Sequence, residues 1–264
     1  MKATSSISKT DAFTMALMKA VDLNTLSVAH YLHGDYRSAL ITMKDTIELL
    51  RSKMTGPISC LSGSAHCHQS PKYICRAVKR ASLSEEEMNE FGALFPFYVR
   101  PFHLLPFHED CASEEDLEIV FMTVMYNAAL FHHSVALQYH QISDPQAALY
   151  LPRALQMYEN AFKMHENSSW DYASMDSPER NGSEHFLQLL AICNNMAFLY
   201  SIDCNFVAVN GFLSLLNDLM EYSEHARARH EGDKMLFDGE DIVFLFTTTL
   251  LLHEQQLLTL APAA

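Results

Sequence analysis

Three stretches of this 264-residue chain fall into one helical register, and that repetition limits the folds open to it more than any other feature. With helix starts set at Leu23, Tyr126 and Cys193, the next residue is an asparagine each time: Asn24, Asn127 and Asn194. Further along the same register stand Leu26, Ala129 and Met196, then Ser27, Leu130 and Ala197, then a ring at His30, His133 and Tyr200. This spacing places them along helical faces. Each stretch is followed by a second helical pattern: Ala39 and Met43 after Gly34-Asp35-Tyr36, then Ala154, Tyr158 and Ala161, then Phe206, Val209 and Leu213. The Gly34-Asp35 connection is so short that the helices it joins must pack antiparallel. One hairpin cannot bury its own apolar face, whereas stacked hairpins share a continuous core. The expected fold is a single all-α domain over residues 1–264, an α–α superhelix of antiparallel helical hairpins.

Helices are expected from Asp11, over Tyr36–Leu50, over Glu115–Tyr139, from Pro152, over Glu184–Tyr200 and over Phe206–Glu224. Proline is well tolerated at a helix start, which is why Pro152 marks the fourth. Residues 52–84 read as a long, flexible polar loop, with Thr55-Gly56-Pro57 and Ser62-Gly63-Ser64 as breakers. Pro96 and Pro101 keep Phe95–Leu105 extended. Residues 242–252 fit either a helix or a β-branched strand. As a strand, their mate would be Phe97–Leu105, which leaves room for one short two-stranded β element.

Composition supports helix and narrows function. Only 8 glycines and 9 prolines occur, against 14 methionines. The formal charge of −14 would be repelled by a phosphate backbone or an anionic membrane, so neither nucleic acid nor membrane is an expected partner. No stretch reaches the ~18 consecutive apolar residues of a membrane span. The first residues lack the apolar run of a secretory signal. Six scattered cysteines in a chain of this size point to a reducing compartment, cytoplasm or nucleus.

The segment Leu23–Leu50, with Gly34-Asp35-Tyr36 at its turn and Ala39 on its second helix, resembles a tetratricopeptide repeat. Tyr126–Ala161 and Cys193–Leu216 resemble degenerate copies, the former with about a dozen extra residues around Gln138–Ala148. Met125–His133 also resembles uncharacterised repeat-like proteins of microalgae. The resemblance implies a concave groove lined by the first helix of each pair. Its positions fall on Asn24, Val28 and Tyr31, on Asn127, Phe131 and Ser134, and on Asn194, Phe198 and Ser201. An asparagine amide both donates and accepts, which suits the backbone of an extended peptide. Alanine at Asn127 is therefore expected to weaken partner binding more than it destabilises the fold.

The chemistry-bearing alternatives are thinner. Cys60, His66, Cys67, His68 and Cys75 are zinc-type ligands, but their spacing matches no familiar zinc pattern. His108, His165, His230 and His253 each precede a glutamate, yet none has a histidine four residues on, so the metalloprotease signature fails each time. No phosphate loop and no nucleophile elbow occurs. The expected function is that of a protein-interaction scaffold holding a peptide or protein partner, with no enzyme activity and no cofactor. Two alternatives remain open: a zinc-dependent regulator or enzyme, and an auxiliary subunit that buries Phe97, Phe102 and Phe107 against a partner.

Overall fold

The computed structural model describes residues 9–54, 73–78, 97–106, 114–141, 144–167, 182–229 and 244–245. Within them lie six helices: α1 (Lys9–Leu32), α2 (Tyr36–Met54), α3 (Glu114–Gln141), α4 (Ala147–Asn167), α5 (Gly182–Ile202) and α6 (Phe206–Arg229). Two strands, β1 (Tyr73–Ala77) and β2 (Phe102–Pro106), pair antiparallel with Cys75 opposite Leu104. The helices form three hairpins, α1–α2, α3–α4 and α5–α6, and the second helix of one packs on the first of the next, α2 on α3 and α4 on α5. The two-stranded sheet lies across the first helices: β2 touches α1 and α3, and β1 touches α3 and α5.

The three hairpins share a turn geometry. Asp35 N–H donates to the His30 carbonyl at 2.9 Å, Asp144 N–H to Tyr139 at 2.8 Å and Asn205 N–H to Tyr200 at 3.0 Å. Each bond closes the C-terminus of a first helix. The same three residues cap the second helices. Asp35 Oδ1 accepts from Ser38 N–H, Asp144 Oδ1 from Gln146 N–H and Asn205 Oδ1 from Ala208 N–H. In the outer hairpins the left-handed position is filled by Gly34 (φ 76°) and by Cys204 (φ 56°). A side chain costs about 1–2 kcal/mol in that region. Cys204→Gly is therefore expected to raise the urea midpoint and Gly34→Ala to lower it. A Cβ on Gly34 would meet nothing within 4 Å, so the loss there is conformational alone.

The extra residues of the middle hairpin are divided between its two helices. The register residue Tyr126 precedes its cap by six residues more than Leu23 and Cys193 precede theirs, and Ala154 follows Asp144 by six more than Ala39 follows Asp35. On the turn side α3 thus runs six residues, about 9 Å, further past its register position than α1 and α5 do, and α4 starts four residues, about 6 Å, further ahead of Ala154 than α2 and α6 start ahead of Ala39 and Val209, so the tip of the middle hairpin projects further. Pro152 does not open α4. It is the sixth residue of a helix that begins at Ala147, through bonds from Ala147, Ala148 and Leu149 N–H to residues 144–146. At that position it lies past the first turn, so it both removes one N–H donor from the helix ladder and crowds the carbonyl of residue 148.

Ala39, Ala154 and Val209, equivalent in the three second helices, are all buried. The Ala39 carbonyl also accepts from Ser27 Oγ at 2.7 Å. Ala39→Leu is expected to overpack α1 against α2 and cost about 1–3 kcal/mol; an unchanged urea midpoint would argue against close packing there. Residues Asp116–Tyr139 and His185–Ile202 are long and apolar enough to span a membrane, but those windows are 94% and 83% buried in the stack. A helix covered on all sides needs no polar face.

Two further sequence expectations are corrected. Residues 52–84 are not loop throughout, since α2 runs to Met54 and Tyr73–Ala77 form β1. The mate of β2 is β1 rather than residues 242–252, of which Phe244 and Leu245 are helical. The remainder of 242–252 lies outside the described residues, as does the acidic stretch 84–91.

Candidate functional site

The register asparagines converge on one extended segment, residues 97–102, that lies across the first helices. Asn127 on α3 grips Phe102 at two points: its Oδ1 accepts from Phe102 N–H at 2.9 Å and its Nδ2 donates to Phe102 O at 2.7 Å. This is the bonding a neighbouring β-strand would offer. Asn127 Nδ2 also donates to Asn24 Oδ1 at 2.9 Å, and Asn24 Nδ2 donates to Phe102 O at 3.2 Å. On α5 the equivalent grip is made by Asn195. Its Oδ1 accepts from Tyr98 N–H at 2.7 Å and its Nδ2 donates to Tyr98 O and to the Tyr158 hydroxyl, both at 2.9 Å. Asn194 Oδ1 adds a second acceptor for Tyr98 N–H at 3.0 Å. Tyr126 Oη donates to the Tyr98 and Arg100 carbonyls at 3.4 Å each, and Val78 N–H donates to Pro101 O at 2.8 Å. The segment's main chain is thus satisfied largely by side chains, as a buried backbone requires.

Eight of the nine positions expected to line an open groove, namely Asn24, Val28, Tyr31, Asn127, Phe131, Ser134, Asn194 and Phe198, are buried. Ser201 is half-buried and donates to Phe198 O of its own helix. The groove is occupied by the chain itself. The peptide chemistry read from the asparagines is present, but its object is intramolecular. Asn127 is a core residue, so its loss falls first on the fold. Asn195 was not singled out by the register, although the Asn194-Asn195 doublet was its signal.

Aromatic side chains complete the closure. Tyr31 stacks on Phe131 with centroids 4.5 Å apart, and its hydroxyl bonds Ser134 Oγ at 3.0 Å. Phe97 stacks on His133 at 4.1 Å and meets Phe198 at 5.3 Å. Phe97 and Phe102 are buried within their own chain, which removes them from any partner interface; Phe107 lies outside the described residues. Burial holds His133 neutral, its pKa pushed down to about 3, and neither ring nitrogen has a hydrogen-bond partner among the described residues. Burial likewise raises the Cys193 thiol, so it stays protonated and unreactive.

Of the zinc-type ligands, Cys60, His66, Cys67 and His68 lie outside the described residues, and Cys75 sits in β1. Among the described residues no group of three or more His, Cys, Asp or Glu could hold a metal ion.

Among the described residues a large recess stays open. Between α2 and α4, floored by α3, runs a cleft of about 1270 Å³. Met43, Met125, Ala128 and Val135 form its buried floor, Leu40 and Met157 its partly buried sides. Tyr139 and Tyr150, stacked at 5.6 Å on the extended tip of the middle hairpin, close one end. Beside Tyr150 lies His132, whose pKa is pushed down to about 4 by burial and by the neighbouring Arg153. No family model, curated protein or solved structure matches the chain.

Proposed function

We propose that this protein is a non-enzymatic interaction scaffold of the tetratricopeptide kind, whose inner groove is closed by its own residues 97–106 and whose partner docks in the α2–α3–α4 cleft. The observation that carries this reading is the contrast between the two surfaces. The inner face has its main-chain grips satisfied in cis. The outer cleft combines an apolar floor with a polar rim and has no occupant of its own among the described residues. Its volume exceeds the ~300–1,000 Å³ of small-molecule pockets, which favours a polypeptide. The resident segment then acts as a brace that sets hairpin against hairpin and fixes the cleft's width. The buried histidines and Cys193 are sealed from solvent, so the reading assigns them no catalysis. Cytoplasm or nucleus belongs to the same reading, which the free thiols of Cys193 and Cys204 suit.

The test is site-specific photo-crosslinking in extract of the native source. A photoreactive residue at Met157, in the cleft, should give one or a few discrete adducts. The same residue at exposed Ser214 on α6 serves as the background. Adducts at Met157 no stronger than at Ser214 would remove the cleft as the docking site.

A further inference from the structure

The cleft's rim has a charge opposite to that of the chain. Of 18 lysines and arginines in the protein, Arg37, Lys44, Arg51 and Arg153 line this recess, and among the described residues Glu48 is its only carboxylate. Against a chain at −14 the lining stands at +3, four cations less one anion. Arg37, Lys44 and Arg51 recur every seven residues along α2, and all three are exposed. Two helical turns separate neighbours, so the row runs about 21 Å beside the apolar floor. Arg153 stands across the cleft on α4, also exposed.

Resting on the scaffold reading, we infer that the cleft receives an acidic amphipathic helix of a partner protein, apolar face on the Met43–Met125 floor and the Met157 wall, and carboxylates on the Arg37–Lys44–Arg51 row. Pitch decides for a helix: carboxylates two turns apart repeat every ~10.5 Å, the spacing of this row. An apolar stripe at helical spacing fills a groove of this shape, and methionines adapt to its side chains. A nucleic acid would match the cations but gain nothing from a methionine floor, and would face the chain's overall negative field. The extended tip of the middle hairpin supplies Tyr139 and Tyr150 to one end of the cleft, so the feature that departs from the regular spacing helps to shape the site.

The probe is a fluorescein-labelled amphipathic peptide of about fourteen residues, leucine on one face and glutamate beside it, against the same peptide with lysine for glutamate. With the full-length protein, the glutamate peptide should bind at least about tenfold tighter than the lysine peptide, by a margin that shrinks with salt. The exposed triple variant Arg37→Glu, Lys44→Glu, Arg153→Glu should weaken glutamate-peptide binding by about tenfold or more and reverse the preference, with an unchanged melting curve. Leu40→Asp, on the partly buried wall, should weaken both peptides. Equal binding of the two peptides, no binding of either, or indifference to the triple variant overturns the acidic-helix inference. The crosslinking at Met157 judges the scaffold reading separately. Three other occupants would also overturn it. They are a single-stranded oligonucleotide outcompeting the glutamate peptide, self-association abolished by the triple variant, or tighter peptide binding when Glu85, Glu86, Glu87 and Glu90 become glutamine. The last would place the chain's own acidic stretch in the cleft.

Discussion

Asn127→Ala is expected to lower the unfolding free energy by about 3–5 kcal/mol, a large part of what a domain of this size possesses. The reason is the number of groups one amide satisfies. Its removal leaves Phe102 N–H without its acceptor, takes the shorter of two donors from Phe102 O and strips Asn24 Oδ1 of its partner. All of these are buried, and each orphaned polar group costs about 1–3 kcal/mol. Asn195→Ala should cost less, because Tyr98 N–H keeps Asn194 as acceptor and Tyr98 O keeps the Tyr126 hydroxyl. Urea denaturation of both variants checks the order. Hydrogen exchange at Phe102 should accelerate in Asn127→Ala before the helices exchange, since the grip is local and the hairpins are not. A loss below about 1 kcal/mol would mean that residues 97–102 do not lie in the groove in solution.

That dependence explains what could and could not be read from the sequence. Local period and turn chemistry are sequence properties, so the hairpins, the Gly34-Asp35 turn and the extended Phe97–Leu105 stretch were legible. So was the shared position of Asn24 and Asn127, which touch each other in the fold. What fills the groove was not legible, because an amide presents the same donors and acceptor to a foreign peptide and to its own chain. β1 was hidden for a related reason: Tyr-Ile-Cys-Arg-Ala is five residues between polar stretches, and its strand character comes from pairing with β2. Cys204 concealed the likeness of its turn to that of Gly34, since only the backbone angle reveals it. The cleft was the hardest to foresee. Its cations lie on two helices and its floor mainly on a third, and the end wall of Tyr139 and Tyr150 comes from the extended tip of the middle hairpin.

Acidification should unfold this protein from its histidines, near pH 5, although its net charge argues for the opposite. Thirty-two acidic residues against 18 basic ones repel one another at neutral pH, and protonating carboxylates would relieve that strain. Among the described residues three buried histidines act the other way. Burial pushes His133 and His165 down to about 3 and His185 to about 4, with His185 adding to the effect on His165. Unfolded, each titrates near the ordinary 6.5. These are bases with depressed folded pKa values, so below about pH 6.5 the unfolded chain binds protons that the folded chain refuses. Stability is then present above that pH and lost as pH falls, by up to about 1.4 kcal/mol per pH unit for each histidine, or about 4 for the three. Between pH 6.5 and pH 5 the loss approaches the ~5–15 kcal/mol that holds most domains together, and it exceeds what diffuse surface repulsion returns. His133→Phe, which keeps a ring against Phe97 and Phe198, should reduce the slope of urea-derived stability against pH by about a third. Stability that stays level or rises from pH 7 to pH 5 would show that these imidazoles meet protons in the folded state, and with that the sealed packing of His133 on Phe97 would be lost as a premise.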